Sequence, residues 1–181
     1  MLVTDSVTWL LLAYRVPSEP SRLRATVWRR LKALGAIYVQ NSVAALPEDA
    51  AAERALRALR AEIGTMGGTA QLLRADALAG GADLVAAYNT ARDEEYAEIV
   101  SRCHDFLAEI DKETAARHFT YGELEENDED LTKLRSWYDK VTTRDRLDAS
   151  GREAAAKILD DCATSLDAFA DAVYAADTDG A

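Results

Sequence analysis

Between Arg15 and Lys32 the sequence places six cationic side chains, Arg15, Arg22, Arg24, Arg29, Arg30 and Lys32, in a chain whose net charge is −11. Guanidinium and ammonium groups gathered in one stretch suit the capture of phosphate or another oxyanion through charge-assisted hydrogen bonds. A helical projection sharpens this. At about 100° per residue from Leu23, the side chains of Leu23, Val27, Leu31 and Leu34 fall within about 80°, and Arg22, Arg29 and Lys32 between roughly 180° and 260°. Arg24 and Trp28 stand at the edge of that stripe. The plain reading is a solvated surface. The functional reading makes Arg22, Arg24, Arg29 and Lys32 contacts to nucleic-acid phosphates, since cations on one face are the footprint of such a surface. Arg30 falls beside the apolar arc and is expected to be paired in the core or tucked under a neighbouring domain.

A second constellation is Asn89-Thr90-Ala91-Arg92-Asp93-Glu94-Glu95-Tyr96. Arg92 sits on an apolar helical seam, one turn from Tyr88 and one turn from Tyr96. A cation there needs a partner, because an unpaired one would cost several kcal/mol. Glu95, three residues on, can reach it. The structural reading is an Arg92–Glu95 pair that fixes register. The functional reading is an anion pocket in which Arg15, Arg92 and the hydroxyls of Tyr14 or Tyr96 hold a small oxyanion between two domains.

Other reactive side chains offer less. Cys103 and Cys162 occupy seam positions and read as small core residues. His104 and His118 lack companions at metal-ligand spacing. The acid run Glu123, Glu125, Glu126, Asp128, Glu129, Asp130 reads as a solvated helix start, or as a partner for the basic helix of a second copy. No glycine-rich phosphate loop, GxSxG or HExxH occurs. No catalytic residue, metal or cofactor is expected.

Two patterns must position these groups. Val7–Val16 is an apolar run of strand length, ended by Pro17. Pro20 opens a helix that Gly35 stops. Ala36–Asn41 and Ser42–Leu46 read as strands. Pro47, Glu48 and Asp49 open a second helix running to about Thr65, and Ala70–Arg74 reads as a last strand. That order, β-α-β-β-α-β, is the ferredoxin-like arrangement. Beyond Gly80-Gly81 the period is helical throughout, with seams along Val85–Ile110, Leu124–Val141 and Ala155–Val173. Thr120 and Glu123 form a capping box for the middle one. The expected fold is α+β: a ferredoxin-like domain over 1–78, an antiparallel three-helix bundle over 82–176, and a frayed tail over 177–181. Residues 1–78 carry a net +3 and residues 79–181 a net −14, so the two parts differ in charge as well as in period. The absence of about 18 consecutive apolar residues, together with two cysteines, predicts a cytoplasmic protein without a membrane span.

The segment WLLLAYRVPSEPSRLRATVWRRLKALGAIYVQNSV, with Met66–Gly68, NTARDEEYAEI, FLAEIDKETA and FTYGELEE, resembles the N-terminal domain of the ChrB chromate-resistance proteins. The resemblance covers nearly the whole chain. It implies a chromate-responsive regulator that accompanies a chromate efflux system; DNA binding is read from the basic stripe, and a homodimer from the dimerisation common among ferredoxin-like relatives. Longer relatives carry a C-terminal domain that this chain is expected to lack. The first half is more distantly similar to the ferredoxin-like domain of PaaX-type repressors and of small CRISPR-associated nucleases. Where the nuclease-like relatives hold metal at the end of the first strand, Ala13-Tyr14-Arg15-Val16 has a cation. Two other readings are a dimeric interaction module that does not bind DNA, and a nuclease-like or chromate-reducing enzyme.

Overall fold

The computed structural model describes residues 7–179. Its elements are β1 (Thr8–Arg15), α1 (Arg22–Leu34), β2 (Ile37–Gln40), β3 (Val43–Pro47), α2 (Ala50–Thr65), β4 (Thr69–Asp76), α3 (Gly81–Ala116), α4 (Tyr121–Arg144) and α5 (Gly151–Asp179). The sheet order is β2-β3-β1-β4 with every neighbouring pair antiparallel, which is the ferredoxin-like topology read from the element order. The fold is α+β.

The chain divides into two compact units: residues up to Ala91 with Arg144–Asp148, and Arg92–Thr143 with the chain from Ala149 onward. In the first unit, register sets Leu10 beside Leu46 and Leu12 beside Ala44 on one face of the sheet. These side chains are buried with Val27 and Leu31 of α1 and with Leu56, Leu59 and Ile63 of α2. Each fully buried Leu or Val contributes about 1.5–3 kcal/mol. Trp9 points the other way across the pleat and meets Tyr88 edge to face, ring centroids 6.0 Å apart.

Several boundaries differ from the sequence reading for local reasons. Pro47 ends β3 rather than opening α2. Asp49 takes the cap position, its carboxylate accepting the Ala52 N–H at 2.6 Å. The β2–β3 turn has no glycine, and Ser42 adopts the left-handed conformation itself at φ 63°. Gly68 is required by close approach: a Cβ there would stand 2.5 Å from the Arg15 carbonyl oxygen and 2.9 Å from Ile63 Cγ2.

In the second unit Tyr96, Ile99, Cys103, Phe106 and Ile110 of α3, Leu131 and Val141 of α4, and Leu159, Cys162, Leu166, Phe169 and Val173 of α5 form one core. The Thr120 hydroxyl accepts the Glu123 N–H at 3.3 Å, starting α4 as the capping signal implies. α5 continues as helix through Asp179, past the expected start of fraying at 177. Residues 180–181 of that expected tail lie outside the described residues.

Candidate functional site

The basic helix is built by ordinary means and charged in an unusual way. Val27 and Leu31 bury its apolar arc. Gly35, left-handed at φ 79°, ends it: its N–H bonds to the Lys32 carbonyl at 3.0 Å, and the Ala36 N–H reaches the Leu31 carbonyl at 3.0 Å. The first turn has no acidic residue and carries Arg22 and Arg24, although positive charge at a helix N-terminus opposes the helix dipole. Helix formation therefore gains nothing from these two cations.

Arg22, Arg24, Arg29 and Lys32 are all solvent-exposed. Among the described residues none of the four makes an ion pair. Arg29 Nε donates to the Ala25 carbonyl at 3.3 Å, and Lys32 Nζ lies 5.1 Å from the centroid of the Trp28 ring, itself 49 % exposed. Three other exposed cations of the same unit behave differently, although Arg15, Arg54 and Arg60 also make no ion pair among the described residues. Arg57 pairs with Glu53 at 2.6 Å, and Arg74 pairs with Glu48 and with Glu53. Arg30 joins that second group: its Nε stands 3.5 Å from Glu62 of α2, and its side chain is 64 % exposed. The expectation of a core or tucked position for Arg30 is corrected accordingly. The edge of the apolar arc meets the rim of the α1–α2 contact, and a long stem lets the guanidinium reach water.

The anion candidates fall in both units. Tyr14 and Arg15 close β1 in the first. Arg15 is exposed, and the Tyr14 hydroxyl is bonded to that of Tyr38 at 2.9 Å. Burial, with the Tyr14 hydroxyl beside it, pushes the Tyr38 hydroxyl well above the usual tyrosine range, so Tyr38 stays neutral. Tyr38 was missed in the sequence. Its only signal was its register opposite Ala44, which itself pairs with Leu12, on the face that also carries Tyr14.

Arg92 and Tyr96 belong to the second unit. Arg92 is 5 % exposed and its Nε meets Glu95 at 2.8 Å. Tyr96 is fully buried against Tyr138, with ring centroids 6.0 Å apart. A fixed guanidinium with a carboxylate partner can hold a structure together. It can also exchange that carboxylate for a tetrahedral oxyanion of the same charge sense.

One pair had no counterpart in the sequence reading. Arg146 Nε is bonded to the Asp49 carboxylate, and its Nη1 reaches the Leu34 carbonyl at 3.0 Å, so one side chain ties the start of α2 to the end of α1. Burial favours the neutral carboxyl at Asp49, but the Ala52 N–H and Arg146 together outweigh it and hold the group below its ordinary value.

A groove of the second unit, about 600 Å³, has Phe106, Leu134 and Trp137 among its walls. Carboxylates outnumber cations along it, Glu109, Glu123 and Glu126 among them, so it repels a chromate-like dianion. Cys103 and Cys162 lie in the bundle core, with Cys162 Sγ 3.6 Å from the Cys103 carbonyl oxygen. Burial, then the neighbouring Cys103, pushes the Cys162 thiol up to about 12. Both thiols are protonated at neutral pH and are poor nucleophiles. Among the described residues no three His, Cys, Asp or Glu side chains stand together to hold a metal ion. None of the described helices is long and apolar enough to cross a membrane.

A family model described as "Protein ChrB, N-terminal" matches residues 24–180. No curated protein and no solved structure matches the chain. The chain belongs to the ChrB N-terminal family, which associates it with chromate resistance.

Proposed function

We propose that this ChrB-family chain is a regulator of a chromate efflux system, that it binds DNA through α1, and that it acts in the cytoplasm as a homodimer. One observation carries the reading. Arg22, Arg24, Arg29 and Lys32 are exposed and make no ion pair among the described residues, in a chain of net charge −11, whereas Arg30, Arg57 and Arg74 nearby are paired. Cations left available on one helix face fit a polyanion better than they fit the fold. Two copies would present two such stripes to a duplex. Specificity would then come from a few base contacts or from the spacing between the stripes.

In a gel-shift with the chain's own promoter, the wild-type protein retards the duplex at low salt and an Arg22→Glu/Arg29→Glu/Lys32→Glu variant does not. Equal retardation by the variant rejects the surface.

Oxyanion sensing is the second part of the proposal, supported by the buried guanidinium of Arg92. Chromate is a tetrahedral dianion, suited to a planar donor fork and to hydroxyls. Arg92 and Tyr96 would supply these within the second unit. Calorimetric titration with chromate gives heat for the wild type and none for Arg92→Lys, which keeps the charge and loses the fork. Absence of heat with the wild type ends this part of the reading.

A further inference from the structure

The groove of about 600 Å³ in the second unit is walled by α3 between Arg102 and Glu113 and by α4 between Glu123 and Trp137. Six carboxylates line it against two cations, Arg102 and Lys133. Both cations are already taken, Arg102 by Asp105 at 3.8 Å and Lys133 by Asp130 at 2.8 Å. Glu123 and Glu126 make no ion pair among the described residues. The acids are spread along two helices, and among the described residues no three of them converge to hold a metal ion. Phe106, Leu134 and Trp137 add apolar surface, and Leu134 and Trp137 are only partly buried. Spread negative charge beside apolar surface calls for a helix whose cations flank an apolar side chain.

α1 carries that pattern. Arg22, Arg24, Arg29 and Lys32 are exposed and make no ion pair among the described residues. Trp28 stands among them, 49 % exposed, with Lys32 Nζ 5.1 Å from its ring centroid. Lengths agree as well. At about 1.5 Å per residue the 13 residues of α1 span about 20 Å, and the two groove walls about 18 Å and about 22 Å.

We propose that, without nucleic acid, α1 of one copy docks in the acidic groove of a second copy, Trp28 on the apolar surface and the cations on the carboxylates. Reciprocal exchange, each copy giving its α1 and taking the other's, closes a two-fold dimer. The contact uses the cations assigned above to DNA, so the groove withholds α1 from a duplex and a duplex competes for it. It supplies a surface for the homodimer of the reading above, rests on that part of the reading alone, and is independent of DNA binding.

Sedimentation of the full chain over a range of concentrations, without nucleic acid, tests it. The wild type is expected to self-associate at micromolar concentration, and less tightly as salt is raised. Arg22→Glu/Arg29→Glu/Lys32→Glu on α1 and Glu109→Lys/Glu126→Lys on the groove, all at exposed positions, are each expected to weaken association at least about tenfold while circular dichroism stays unchanged. Mixed one to one, the two variants are expected to associate again, because the reversed α1 meets the reversed groove and the native α1 the native groove. Both variants keep a net negative charge, so general attraction does not produce this rescue. Trp28→Ala, which alters no charge, is expected to loosen association several-fold. A wild-type chain that stays monomeric overturns both the homodimer reading and this inference. A dimer indifferent to the α1 and groove variants leaves the homodimer standing and overturns this contact as its interface. Loss in both variants without rescue on mixing overturns the pairing of α1 with the groove. Rescue combined with indifference to Trp28→Ala overturns the seating of α1 on the apolar surface.

Discussion

The cations of α1 and the guanidiniums of Arg92 and Arg146 are chemically alike and placed under opposite conditions. Arg92 is 5 % exposed with Glu95 at 2.8 Å, and Arg146 is bonded to the Asp49 carboxylate and the Leu34 carbonyl. Arg22, Arg24, Arg29 and Lys32 are exposed, and no ion pair holds them among the described residues. The difference separates charges that hold the fold together from charges the fold leaves to something else. Desolvation makes the first kind expensive to disturb, and solvent screening makes the second kind nearly free of consequence for stability.

The largest expected effect is at Arg92. Arg92→Ala should lower unfolding free energy by about 3 kcal/mol, because a buried guanidinium and its pairing with Glu95 are lost. Urea denaturation measures it, and a loss below about 1 kcal/mol would place Arg92 among the expendable charges. Arg146→Ala should cost about 2 kcal/mol through its charge-assisted bonds to Asp49 and to the Leu34 carbonyl. A Tm indistinguishable from wild type would remove it from the structural group.

Acid unfolding follows in size. Asp49 has a folded value below its ordinary 3.8, so its stabilisation is complete above that value and is lost as pH falls through the folded one. Asp49→Asn should flatten the stability profile below about pH 4 and leave its shape above pH 5 unchanged. A parallel downward shift of the whole profile would mean that the cap, and not the charge, carries the effect. The smallest expected effect is on α1. Reversing Arg22, Arg29 and Lys32 together should alter stability by no more than about 0.5 kcal/mol, since Arg22 stands where the helix dipole disfavours a cation.

Much of the fold was legible because periodicity carries it. Leu23, Val27, Leu31 and Leu34 announced α1, and the long seams from Val85, Leu124 and Ala155 announced the later helices. β4 was read too short, since Thr69, Ala75 and Asp76 sit on an outer strand that buries little and shows no apolar alternation. The Arg92–Glu95 pair was legible because both partners lie on one helix. Arg146–Asp49 was not, because 97 residues separate the partners and neither stands out locally. Arg30 was assigned inward from its helical angle alone, and a projection cannot tell an arginine beneath a helix from one reaching over its rim to Glu62. The Tyr14–Tyr38 bond needed the strand register, which the glycine-free turn at Ser42 hid.

The most direct test of the central claim is the salt dependence of binding to a promoter duplex, followed by fluorescence anisotropy. A surface contacting phosphates through Arg22, Arg29 and Lys32 predicts a steep fall of log K with log salt. Removing those three contacts should then reduce the slope by about 0.9 for each, close to 3 in all. A triple variant with wild-type affinity and an unchanged slope would contradict the account.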